Sequence, residues 1–142
     1  MKLQTTIDLD APAAQVWQVL TTGAAYPEWN PFIRSLTGRL AVGEQLTTVV
    51  RDAAGKERTF TPRVLTVEPN RELRWLSRIG FGGVFDGEHV FQLTELPEGR
   101  TRLINAEEFR GIAIPFLRSM VRRTIEPQFV AMNRALADRL AE

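Results

Sequence analysis

What most restricts the fold is the contrast between the middle of the chain and its end. From Pro31 to about Gly111, short runs of strand character are cut at Val42-Gly43-Glu44, Ala54-Gly55-Lys56, Pro69-Asn70, Gly80-Phe81-Gly82-Gly83 and Pro97-Glu98-Gly99. After Pro115 there is no glycine at all. Phe116, Leu117, Met120, Val121, Ile125, Phe129, Met132, Leu136 and Leu140 fall instead at the three- and four-residue steps of one helical stripe. Turn residues between short runs make hairpins, so neighbouring strands are expected to be antiparallel. A meander that ends in one long amphipathic helix predicts an α+β domain whose sheet buries a face on that helix. Arg118, Arg122, Arg123, Arg134 and Arg139 should lie mostly on the outward side. Pro127 predicts a kink, since proline lacks the backbone donor and clashes one turn back.

Ahead of the meander, Leu3, Thr5, Ile7 and Leu9 alternate onto one face of a first strand. Asp10 precedes Ala11-Pro12 and reads as an acidic N-cap. Val16, Trp17, Val19 and Leu20 then form a helical stripe that Gly23 stops, with Trp17 read as core. A second short helix or turn is expected over residues 24–30.

Composition narrows the function classes. At 142 residues the chain is expected to form one domain, 1–142. Eighteen basic and seventeen acidic residues leave a net charge of +1, too weak a field to point to nucleic acid. Without cysteine there are no disulfides, thiolate metal sites or Cys nucleophiles. No apolar run approaches the roughly 20 residues of a bilayer span, and no signal-peptide core follows Met1. The expectation is a cytoplasmic protein without stable membrane insertion, monomer or homodimer.

His89 is the only histidine. At period two it shares a face with Phe91 and Leu93, expected to be the concave, helix-facing side. In the next strand Leu103, Asn105, Glu107 and Phe109 share a face in the same way. If both faces point inward, His89, Asn105 and Glu107 form a polar cluster on an apolar wall. Such a trio serves as an acid/base pair, as the end of a pocket that orients a ligand, or as a structural hydrogen-bond set. A one-residue slip in register would put Glu88 and Val90 inside instead. One histidine with carboxylates is a thin ligand set, so no metal is expected, and no cofactor motif is present. The Gly80–Gly83 segment follows a strand but leads into no helix and has no P-loop lysine, so it reads as a flexible lid tipped by Phe81. Ser35, Ser77 and Ser119 lie in no nucleophile-elbow context.

Ile7 to Trp17, Tyr26-Pro27-Glu28-Trp29-Asn30-Pro31-Phe32, Val67 to Trp75, Gly87 to Leu93, Pro97 to Thr101 and Glu107 to Gly111 follow one another in a familiar order. In these the chain resembles the bacterial polyketide cyclase/dehydrase and lipid-transport group of the START-like (SRPBCC) superfamily. The resemblance implies the helix-grip fold, β-α-α-β6-α, with a seven-stranded curved antiparallel sheet around the C-terminal helix. It also implies a cavity between sheet and helix, with Trp29, Phe32, Trp75, Phe81, Phe85, Phe91, Phe109, Phe116 and Met120 joining the polar trio as lining. Each of these equally suits plain core. That scaffold carries ligand binders, lipid carriers and cyclases alike. The first expectation is a carrier or sensor of a small hydrophobic or amphipathic ligand. The second is a cyclase or dehydratase in which His89 and Glu107 move protons. A third is an interaction module using the helix or a sheet edge.

Overall fold

The computed structural model describes every residue from Met1 to Glu142. It is α+β, with an antiparallel curved sheet and a long C-terminal helix, as expected. Strand β1 (Lys2–Leu9) buries Leu3, Thr5 and Leu9 and exposes the residues between them, apart from the half-buried Ile7. Helix α1 (Ala13–Thr21) follows, burying Ala13, Val16 and Leu20, with half-buried Trp17 packed on the core. Its N-cap is Pro12, not Asp10. Asp10 turns away to pair with Arg100 at 2.8 Å, because the proline, with its fixed φ, stands between it and the first turn. A short 3₁₀ turn leads into α2 (Tyr26–Trp29), a single turn that packs on the strand after it.

The meander contains β2 (Ile33–Thr37), β3 (Thr47–Arg51), β4 (Glu57–Phe60), β5 (Arg63–Glu68), β6 (Glu72–Ile79), β7 (Phe85–Leu96) and β8 (Arg100–Arg110). With β1 this makes eight strands rather than seven, in two sheets ordered β1-β8-β7-β6-β5 and β2-β3-β4. The residues from Arg58 to Glu68, read as one strand, break at Thr61-Pro62. Proline cannot donate to a ladder, so pairing with β3 ends there and β5 starts afresh against β6. What ties the two sheets is the β2–β3 loop, which bonds to Pro62 and to β5: Leu46 N to Pro62 O at 2.8 Å, Gly43 N to Val64 O at 2.9 Å and Val64 N to Glu44 O at 2.9 Å, with one isolated antiparallel bridge between Gln45 and Arg63.

Helix α3 (Ile114–Leu140) runs as one helical element through Pro127, which lies on its exposed face. Val121, Phe129, Met132, Asn133 and Leu136 are buried. Phe116, expected on the inner stripe, is 88% exposed. No helix is long and apolar enough to cross a membrane. Gly111, at φ 132°, lets β8 turn into α3 against the β6–β7 loop, where a Cβ would run into the Val84 carbonyl. Ile112 N and Ala113 N then bond to the carbonyls of Gly83 and Val84.

Candidate functional site

The register of β7 on β8 decides the site. His89 pairs with Glu107, Phe91 with Asn105 and Gly87 with Phe109, so all these side chains stand on the concave face. His89 is 3% exposed and held from several sides. Its ring stacks on Trp75 of β6 at 5.6 Å between centroids, and Phe129 of α3 meets it edge-on at 5.1 Å. Phe91 contacts it at 4.6 Å. His89 Nδ1 lies 2.9 Å from Glu107 Oε1, and Nε2 lies 2.7 Å from Asn105 Oδ1. Asn105 Nδ2 donates to Asn133 Oδ1 on α3, and Asn133 Nδ2 donates to Thr5 Oγ1 on β1, each at 2.9 Å. Thr5 closes the chain by donating to the Asn105 carbonyl at 2.7 Å. A buried polar group without a partner costs on the order of 1–3 kcal/mol, and no amide or hydroxyl group of Thr5, Asn105 or Asn133 is left without one.

Next to this cluster is a cavity of about 680 Å³ between the two sheets and the N-terminal half of α3. The three-stranded side supplies Ile33, Thr48, Val50, Arg58, Thr59 and Phe60, with Phe32 just ahead of β2. The five-stranded side supplies Trp75, Ser77, Ile79, Phe85, Gly87, His89, Glu107 and Phe109, and α3 closes it with Met120, Thr124, Ile125 and Gln128. Its volume lies within the usual range for small-molecule sites, and its wall mixes apolar surface with a few fixed polar groups. Glu107 keeps Oε2 free of protein donors, and an added Cβ on Gly87 would sit 2.7 Å from that oxygen. The glycine thus makes room for the carboxyl. No group of three or more His, Asp and Glu side chains is arranged to hold a metal ion.

Of the residues expected around the cavity, Phe32, Trp75, Phe85, His89, Glu107, Phe109 and Met120 border it. Phe91 and Asn105 stand behind that wall, fully buried. Three lie elsewhere. Phe81 is 86% exposed at the tip of the β6–β7 loop, with Phe116 exposed on the first turn of α3, and neither is among the residues that line the cavity. Trp29 packs edge-on against Tyr26 at 5.3 Å. The Trp29-Asn30-Pro31 segment terminates α2, where Asn30 Oδ1 accepts from Phe32 N and Ile33 N at 3.0 and 2.9 Å. Asn133 and Thr5 went unmarked as site residues. Asn133 had a signal, a polar residue between Met132 and Leu136 on an apolar stripe.

The other charged cluster belongs to the opposite face of the sheet. Arg74 bridges Glu88 at 2.6 Å and Glu72 at 3.3 Å. Burial acts to raise the Glu72 carboxyl, but hydrogen bonds from Gln92 and Arg74, with the charges of Arg74 and Arg71, outweigh it and hold it below its ordinary value.

The whole chain, residues 1–142, matches the model of the family described as polyketide cyclase/dehydrase and lipid transport. The chain belongs to that family. Among solved structures it is similar to an aromatase/cyclase from Streptomyces sp. R1128, with TM-score 0.79 and 20% identity over 99% of this chain and 93% of the other. A START superfamily protein from Mycobacterium smegmatis superposes with TM-score 0.74 and 21% identity, covering 99% and 97% of the two chains. A protein from Thermus thermophilus gives TM-score 0.78 and 17% identity, covering 99% and 97%. At these identities the likeness is one of fold. No curated protein sequence matches this chain.

Proposed function

We propose that this member of the polyketide cyclase/dehydrase and lipid-transport family binds a small hydrophobic or amphipathic molecule between its sheets and α3. The observation that carries the reading is the 680 Å³ cavity itself, with aromatic and aliphatic walls and interspersed polar groups, among them the His89–Glu107 pair. Apolar burial drives entry of such a ligand, at roughly 25 cal/mol per Å² removed from water. The His89–Glu107 pair orients it. The test is fluorescence of 1-anilinonaphthalene-8-sulfonate with the wild-type protein and with Val50→Trp, which fills the cavity from β3. Enhanced emission that the variant loses supports the reading. No enhancement, or equal enhancement in both, sinks it.

A second reading is favoured by one distance. Nδ1 of His89 and Oε1 of Glu107 are 2.9 Å apart, and Glu107, with Oε2 free of protein donors, lines the cavity, the arrangement a general acid/base needs next to a substrate. In that case the protein is a cyclase or dehydratase acting on a polyketide-like substrate. Glu107→Gln then loses turnover on a poly-β-ketone probe while still binding it, whereas a carrier shows no turnover in either form.

A further inference from the structure

The direction of the buried hydrogen-bond chain can be read from its closed end. The Asn105 backbone carbonyl only accepts, so Thr5 Oγ1 donates to it. With its proton committed there, Thr5 accepts from Asn133 Nδ2, which turns Asn133 Oδ1 toward Asn105. Asn105 answers with Nδ2, which also faces Met132 Sδ at 3.7 Å, a weak acceptor suited to an N–H. Asn105 is left with Oδ1 toward His89 Nε2. Amide orientations and histidine tautomers are assigned by such networks, and here each choice forces the next. His89 therefore carries hydrogen on Nε2.

That leaves one proton between Nδ1 and Glu107 Oε1. Either the ring holds it, as imidazolium against carboxylate, or the carboxyl holds it and donates to the ring. In both arrangements Oε2 bears no hydrogen: it is a carboxylate oxygen in the first and the acid's carbonyl oxygen in the second. The edge of Glu107 bordering the cavity is thus an acceptor wherever the proton sits. We infer that the cavity selects ligands that present a hydrogen-bond donor, a hydroxyl, phenol or N–H, to Glu107 Oε2, and disfavours those that can place only an acceptor at that point. This deepens the proposed function and rests on the cavity being a ligand site. Ser77, Thr48, Thr59 and Thr124 also line the cavity with hydroxyls, which donate or accept as needed; Arg58 of β4 and Gln128 of α3 offer donors to other parts of a ligand, so Glu107 sets the polarity at Oε2 alone. A ketone, ether or carboxylate at Oε2 would meet lone pairs with lone pairs.

The test pairs two readouts on the intact protein. Because His89 is the only histidine, its two ring nitrogens give a single set of signals in a ¹⁵N–¹H multiple-bond NMR spectrum at neutral pH. Hydrogen on Nε2, with or without one on Nδ1, is expected, and a bare Nε2 overturns the chain direction from which the polarity of Glu107 is read. Calorimetric titration with 2-naphthol, 2-methoxynaphthalene and naphthalene supplies the second readout. A hydrogen bond to a charged or proton-sharing group predicts 2-naphthol to bind on the order of tenfold more tightly than its methyl ether. Equal affinities overturn the inference while leaving the cavity reading intact. If none of the three binds, the cavity reading falls and the selectivity falls with it. Glu107→Gln separates the polarities further. Its amide must give NH₂ to the bare Nδ1 and turn its oxygen to the cavity, so 2-naphthol stays preferred. A reversal toward the methyl ether shows that the chain runs the other way.

Discussion

At Gly87 the absence of a side chain leaves room for the Glu107 carboxyl. Gly87→Ala puts a methyl group where the Glu107 carboxyl now sits, and the carboxyl, at the end of a flexible side chain, moves. The expected result is a stability change within about 1 kcal/mol in urea unfolding. The His89 Nδ1 signal should shift clearly, and the preference between 2-naphthol and its methyl ether should be lost. Asn30 gives the opposite balance. Its Oδ1 satisfies two buried backbone donors at the junction of α2 and β2, so Asn30→Ala should cost about 1–3 kcal/mol in urea unfolding. The cavity of any folded fraction should stay unchanged, as read by probe affinity.

Among the elements, α3 is fastened to the sheet by a polar bolt as well as by its apolar stripe. Asn133→Ala strips partners from Asn105 and Thr5 and should lower unfolding free energy by about 1–3 kcal/mol. Arg134→Ala, one residue on and exposed, should stay within about 0.5 kcal/mol in the same urea titration. Strand β6 carries a pH-dependent contribution. The folded-state Glu72 carboxyl lies below its ordinary 4.5, so its stabilisation is complete above that value and is lost as pH falls through the lowered one. Thermal melts of the wild type and Glu72→Gln should differ near neutrality and converge in acid. Much of this element layer was legible in the sequence. Alternation placed His89, Asn105 and Glu107 on one face, and glycine-rich turns marked the hairpins. The break at Pro62 was harder to see, because its flanks keep strand character and only the change of partner, from β3 to β6, reveals it. Thr5 and Asn133 meet Asn105 across the fold, at separations that no local pattern encodes. Phe81 and Phe116 fall outside the cavity lining for a related reason: aromatic character marks apolar surface without saying which way a loop or a first helical turn presents it.

For the whole molecule, an unfilled interior is a stability cost that occupancy should reverse. A ligand at one hundred times its Kd adds about 2.7 kcal/mol to a protein that binds it only when folded. Calorimetric melting with saturating 2-naphthol should therefore raise the wild-type Tm by several degrees and leave Val50→Trp unmoved. The division of the strands at Pro62 has a further consequence, for how such a protein can change over time. The His89–Glu107 pair stands on the five-stranded sheet, while the three-stranded sheet offers the cavity bulk through Ile33, Val50 and Phe60 and separate polar groups through Thr48, Arg58 and Thr59. Since the two sheets share loop bonds rather than a continuous ladder, substitutions on one can resize the chamber without disturbing the register that aligns His89 with Glu107. Under the proposed ligand-binding role, chamber size and the Glu107 contact are thereby separately variable, each by its own substitutions.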